Sequence, residues 1–465
     1  MKNILKGIII IFILTVLGYF IYTQHQKVAV LKNVVHVDAE SVIKVGIHEI
    51  KKTLVFDVLS SPSYYWQNSN LTDTKKEKDS LDEQKKGIDL LPYALVFYTM
   101  KNVKNTVFTT FKIDDTKDFE AFSLRYLTDK NISITKDVYT YAIDEKSKMI
   151  LAWNSERLAV AFSPKLSFKA CKQVFDDVLL RNNVIHDSDN SKINKLRSRD
   201  DHITYLSGNS EVVLNFVDGK AVLEGNIFTA SPDSFNTEIM YTPLQNASLE
   251  LYIDANFEHN DYKKVVADLL EGASFFEKNN IEISSFLDKV NGVFSLAVKG
   301  TIAQKDTIIT YEYDDNFEKV ETLSIQEKNV PAIVMNIGSE KDITAYLTKQ
   351  GAIKNGILTA IPYYTFYTKA DALSVTFTTA NQINATPKKK GSYFFSLETN
   401  FSHLQQDLNI PKADKVASLL ETLRINAQQG EENKIVIEGK LEAVNRDINI
   451  ISQLFFGLQP KDSLP

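Results

Sequence analysis

Apolar and polar positions alternate at a period of two through much of this chain. The run Lys434-Ile435-Val436-Ile437-Glu438-Gly439-Lys440-Leu441 shows the pattern, which places alternate side chains on opposite faces of a half-buried strand. On this signal strands are expected over Ala94–Thr99, Thr106–Ile113, Met149–Trp153, Arg157–Phe162, Val212–Phe216, Ala221–Phe228, Ser248–Ile253, Gly292–Val298, Thr307–Tyr313, Ala332–Ile337, Leu373–Phe377, Ser392–Leu397 and Lys434–Leu441. Helical spacing predicts helices over Asp118–Leu127, Leu166–Leu180, Tyr262–Leu270, Asp342–Thr348, Ala413–Leu423 and Asp447–Phe456. Strands outnumber helices and come in hairpin-like runs. The expected class is therefore α+β, with antiparallel sheets and packed helices.

Two stretches lack either period. Gln67–Asp89 carries five lysines against six acids, and Asp187–Asp201 carries four charges of each sign. Both read as solvated loops.

Short segments also recur in order. Ile113–Phe122 matches Ile337–Tyr346 at an offset of 224, and Tyr139-Thr140-Tyr141 matches Tyr364-Thr365-Phe366 at 225. Leu158–Phe162 resembles Leu373–Phe377 at 215, and His36–Ala39 resembles Tyr252–Ala255 at 216. Four matches at nearly one offset predict two related halves, residues 26–245 and 246–465, each a strand–helix–strands unit.

Ahead of these halves stands a different pattern. Lys2 and Lys6 precede an uncharged run from Ile8 to Tyr22, after which the chain turns polar at Thr23-Gln24-His25-Gln26-Lys27. Fifteen helical residues rise about 22 Å, short of a hydrocarbon core of about 30 Å. Counting from Ile4 to Thr23 completes a span, with Lys6 reaching back to the headgroups. A cleaved signal peptide is the rival reading. Tyr22-Thr23-Gln24-His25 offers no small-x-small site, and no cysteine follows the run for lipoprotein processing. Residues 1–25 are thus expected to be an uncleaved signal-anchor transmembrane helix. Positive charge before the span places the N-terminus in the cytoplasm and the bulk of the chain outside the inner membrane.

Composition narrows the classes. One cysteine, Cys171, permits no internal disulfide, so an exported body must rely on a packed core. A net charge of −6 gives no ground for nucleic acid as the partner.

The chemical motifs fail on inspection. His48-Glu49-Ile50-Lys51-Lys52 opens like a zinc-protease helix but has Lys52 where the second ligand must stand. Asp187-Ser188-Asp189-Asn190-Ser191 opens like a calcium loop but has Lys192 at the glycine position and Ser198 at the bidentate one. Ser41-Val42-Ile43-Lys44, Ser188-Asp189-Asn190 and Lys390-Gly391 mimic the three motifs of penicillin-binding enzymes, the last without its intervening hydroxyl. His36 and Asp38 share one face of a strand, a weak pairing for ligation. No catalytic, cofactor-binding or metal-ligating residue is nominated, and no cofactor is expected.

Aromatics are the one excess, with 27 Phe and 20 Tyr clustered on strands such as Tyr363–Tyr367 and Tyr393-Phe394-Phe395. They suit core packing, or a concave sheet face that holds an apolar ligand.

The opening Val34-Val35-His36-Val37-Asp38, the hairpin Ile150–Phe162 and the stretch Phe286–Ala297 resemble uncharacterised, N-terminally membrane-anchored envelope proteins of bacteria related to the flavobacteria. That resemblance implies a periplasmic body of unknown function and carries no site residues. The expected function is a non-catalytic binding or scaffolding protein of the cell envelope. Its partners would be the membrane through the N-terminal helix, and a lipid, peptide or another envelope protein. An envelope hydrolase with a carboxylate-based site is the alternative.

Overall fold

A computed structural model describes residues 22–69, 85–90, 92–186, 190–228, 244, 246–257, 260–313, 317–339, 342–359, 361, 364–381, 393–411, 413–431 and 433–458. The chain divides into two compact units. One is built mainly on residues up to Asp218 with Leu223–Phe228, the other on Gly219–Val222 with the chain after Thr229.

The first unit runs helix α1 (residues 22–29), strand β1 (Ala39–Val45), α2 (Ile47–Ser60), α3 (Pro62–Ser69), β2 (Leu95–Met100), β3 (Val103–Lys112) and α4 (Thr116–Asp129). There follow β4 (Ile134–Lys136), β5 (Thr140–Asp144), β6 (Met149–Trp153), β7 (Arg157–Phe162), α5 (Phe168–Leu179), α6 (Ser191–Ser198), β8 (Ile203–Ser207), β9 (Ser210–Val217) and β10 (Lys220–Phe228). The spatial order is β9-β8-β1-β2-β3-β7-β6-β5-β4, every neighbouring pair antiparallel, with β10 beside β9.

Strand β7 shows why this sheet takes a helix on each face. All but the last residue of Arg157-Leu-Ala-Val-Ala-Phe162 are buried. Leu158 and Val160 point to one face, where they pack with Phe119 and Leu127 of α4 and with Trp153. Ala159 and Ala161 point to the other, where small side chains leave room for Cys171, Val174, Phe175 and Val178 of α5. Phe175 is fully buried, edge-on to Phe108 and stacked on Phe168. Helix α4 starts at Asp115, whose carboxylate accepts from the amides of Lys117 and Asp118. Gly87 lies against this start at φ +67°, and its carbonyl accepts from the amides of Asp114 and Asp115.

The second unit runs β11 (Leu249–Asp254), α7 (Asn260–Leu270), α8 (Ser274–Lys278), α9 (Ile283–Leu287), β12 (Val290–Tyr313), β13 (Lys319–Ser339), α10 (Ile343–Lys349), β14 (Ile353–Lys354), β15 (Ile357–Leu358) and β16 (Phe366–Ala370). It continues through β17 (Ser374–Thr378), β18 (Tyr393–Asn400), α11 (Phe401–Leu408), α12 (Asp414–Leu419), β19 (Leu420–Gln429), β20 (Lys434–Ala443) and α13 (Ile450–Gly457). Its order is β20-β19-β18-β11-β12-β13-β17-β16-β15-β14, antiparallel throughout. Ile343 and Leu347 of α10 pack with Phe276, Leu358, Phe366, Val375 and Phe377. Rank for rank, the ten strands follow the order of the first unit. Beyond the strands that flank them, β12 and β13 pair on with each other from Thr301–Pro331 out to Tyr313–Lys319.

Several expectations are corrected. The expected α+β fold, an N-terminal transmembrane helix followed by several antiparallel sheets with packed helices, is corrected in its sheets. The twenty strands form one antiparallel sheet, and among the described residues no helix is long and apolar enough to cross a membrane. Period-two patterning marks strands but not their partners, and an exposed strand edge recruits the next strand instead of ending the sheet. The expected span Ile4–Thr23 lies, through residue 21, outside the described residues, as do residues 70–84 of the first charged stretch.

The second charged stretch is no simple loop. From Ser191 it forms α6, capped by Asn190, with Ile193 and Leu196 buried one turn apart. Ala413–Leu423 is helical only to Leu419, after which β19 begins, and the strands expected at Gly292–Val298 and Thr307–Tyr313 are one. Of the four sequence matches, Leu158–Phe162 and Leu373–Phe377 fall on β7 and β17, and Phe119 and Ile343 open the buried faces of α4 and α10. Tyr141 lies in β5 while Phe366 opens β16, and His36 precedes β1 while Tyr252 lies within β11.

Candidate functional site

The face of the first sheet that carries Ala159 and Ala161 has an uncovered end. Antiparallel register places Ala159 opposite Thr110 and Arg157 opposite Lys112. Their neighbours are Val96 on β2 and Ala94, which directly precedes that strand. Helix α5 covers the middle of this face. At its end a cleft of about 450 Å³ opens between the strands and the segment running from α1 to Val34. Val30, Val34, Ala94, Leu95, Val96 and Phe111 supply apolar lining. Lys32, Lys112, Arg157 and Arg181 line it together with Asp89 and Asp114, and Lys112 is paired with Asp114 at 2.9 Å.

Arg157 is the unusual member. It is 7% exposed. Its Nη1 donates to the carbonyl of Asn33, a residue held at φ +59°. Its Nε has no hydrogen-bond partner, and it joins no ion pair among the described residues. The adjacent Glu156 is engaged instead by Arg181, at 2.5 Å. Burial, and then the charge of Arg181, lowers the Arg157 guanidinium from its ordinary pKa. A buried cation without a counter-charge is costly.

Two other polar clusters resemble catalytic sites and resolve as structural. His36 Nε2 lies 3.2 Å from Asp177 Oδ2, both buried. The amide of Asp38 donates to His36 Nδ1, so Nε2 carries the ring proton and donates to Asp177. Gln173 and Asn183 donate to the same carboxylate. The cleft beside them, about 490 Å³, is lined by no serine or cysteine that the histidine could activate. His36 therefore pairs with Asp177, not with the carboxylate of Asp38. The second cluster joins α2 to β8. His202 bonds Thr53 at 2.8 Å and accepts from the amide of Phe216, while Tyr93 donates to Glu49. Burial lowers the His202 pKa, opposed by Glu49 and Asp201.

The motif fragments scatter. Ser41 and Lys44 stand on a strand, three residues apart and so on opposite faces. Ser41 bonds Thr99 and Lys44 bonds the carbonyls of Leu196 and Arg199. His48 stacks on Tyr93. Ser188, Asp189, Lys390 and Gly391 lie outside the described residues. No group of three metal-ligating side chains gathers among the described residues. Tyr98, Phe108, Phe119 and Phe175 are fully buried, so much of the aromatic excess fills cores. Sequence reasoning missed Arg157. The signal was a charge at the head of an otherwise apolar strand, in register with two alanines.

No family model matches this chain, and no curated protein matches it. One solved structure, titled "Structure of crystal form IV of TP0453", aligns at 8% identity over 73% of this chain and 87% of that one, with a TM-score of 0.21. At that score the likeness supports no conclusion about fold or function.

Proposed function

We propose that the protein is a non-catalytic binding protein of the bacterial cell envelope, tethered to the inner membrane by the uncharged run Ile8–Tyr22 and carrying its body outside. The carrying observation is the cleft at the end of the first sheet. It has the volume of a small-molecule site, mixed apolar and cationic lining, and no nucleophile beside a base. Its outer wall is the segment that continues directly from the uncharged run. A ligand drawn from the membrane surface has the shortest route to such a cleft. The resemblance to membrane-anchored envelope proteins agrees with this reading.

The test is fractionation with native mass spectrometry. The protein should sediment with membranes, resist carbonate extraction, and be cut by protease added outside intact spheroplasts. Gently released, it should carry a small molecule of constant mass. Recovery in the soluble fraction, or a bare chain from every preparation, overturns the reading.

A further inference from the structure

We propose that the cleft seats the phosphate or carboxylate group of a small amphipathic molecule on Arg157, an inference that rests on the binding reading above. Arg157 is more than nine-tenths buried, lines the cleft, keeps an unpartnered Nε and has no carboxylate partner among the described residues. A planar guanidinium presents its donors in a fork that matches two oxygens of one oxyanion. The Nη1 bond to the Asn33 carbonyl fixes that fork without neutralising it. Thr110, buried on the same face beside the Tyr98 hydroxyl, also lines the cleft. Lys32 and Arg181 stand at the same cleft and raise the local concentration of anions. Val30 and Val34 offer the apolar remainder of the ligand a surface to cover.

Ligands of this kind have two sources: an amphiphile that carries the oxyanion as its headgroup, and free phosphate. The experiment is isothermal titration calorimetry on the full chain in phosphatidylcholine nanodiscs, with empty nanodiscs as reference. The probes are decyl phosphate, decanoate, inorganic phosphate and the neutral decyl glucoside. Decyl phosphate and decanoate should bind at least about tenfold tighter than decyl glucoside, the margin expected of a charge-assisted bidentate contact. Arg157→Gln should erase that margin, so that charged and neutral probes bind alike. Arg157→Lys should restore only part of it, because an ammonium cannot form the fork. Arg181→Gln, at an exposed position, serves as the variant least able to disturb folding and should weaken the anionic probes about two- to fivefold. Competition by inorganic phosphate at equal concentration assigns the seat to free phosphate, and failure to compete assigns it to a headgroup. Either supports the oxyanion seat. Equal affinity for charged and neutral probes, or full anionic binding by a folded Arg157→Gln, overturns it and leaves the binding reading standing. Silence from all four probes overturns the seat, while the constant-mass ligand decides the binding reading separately.

Discussion

Replacing Asp177 by alanine should destabilise the first unit without touching the cleft beside Arg157. Three side-chain donors lose their acceptor: His36 Nε2 at 3.2 Å, Gln173 Nε2 at 3.0 Å and Asn183 Nδ2 at 2.8 Å. They do not suffer equally. Asn183 and Gln173 are exposed and rehydrate, whereas His36 is 3% exposed with nowhere to turn. An orphaned buried polar group costs about 1–3 kcal/mol, so the expected loss is about 2–4 kcal/mol, most of it at His36. Asp177→Asn keeps one acceptor and should cost about 1–2 kcal/mol. For a unit of this size each kcal/mol moves Tm by about 2–4 °C, giving about 4–16 °C for the alanine variant. Urea unfolding followed by the fluorescence of Trp153, buried in the same unit, reads the change. A loss under about 0.5 kcal/mol would refute the view that this pair is a structural tie between α5 and the segment before β1. Acid sensitivity adds a second reading. Burial works to raise the Asp177 carboxyl, but the bonds from Gln173, His36 and Asn183 outweigh it and hold the pKa below the ordinary range. A folded pKa below the unfolded one means stabilisation that is present above about pH 4 and lost as pH falls through the folded value. Asp177→Asn should lack that part of the acid transition.

Other expectations follow from packing. Phe175→Ala empties a fully buried site between Phe108 and Phe168 and should cost about 3–5 kcal/mol in urea unfolding; a cost under about 1 kcal/mol would mean that α5 collapses onto Ala159 and Ala161. Gly87→Ala would place a Cβ 2.3 Å from the Asp115 carbonyl oxygen at φ +67°, displacing the start of α4, with an expected loss of about 2–4 kcal/mol. Native thermal stability within about 1 °C of the parent would refute that close approach. Cys171 is 1% exposed and its thiol is pushed up to about 11 by burial. It should resist maleimide at pH 7.5 in the native protein and react on unfolding, and rapid native labelling would contradict its burial.

Strands were legible because alternation is a local property: β7 and β20 can be read directly from their residues. Their partners were not, because β1 pairs with β2 across more than fifty residues and with β8 across about three times that distance, and no local pattern encodes such choices. Helix α6 was hidden by its own charges. Only Ile193 and Leu196 carry its buried face, too few to stand out against Lys192, Lys195 and Arg197. The cleft was illegible for a third reason. Arg157 looks like an ordinary surface charge until register places it on the alanine face, at the end that α5 leaves uncovered.

The most direct measurement is native mass spectrometry of the full chain released from membranes, beside a variant in which Val30→Trp fills the cleft. Val30 is half-buried and lines it, so the larger side chain takes up ligand volume without removing a polar group. The parent should carry a bound small molecule of constant mass, and the variant, folded by circular dichroism, should carry none. Equal loading of both proteins would show that the ligand sits elsewhere. Turnover of an identified substrate that survives Val30→Trp would contradict a binding role for the cleft altogether.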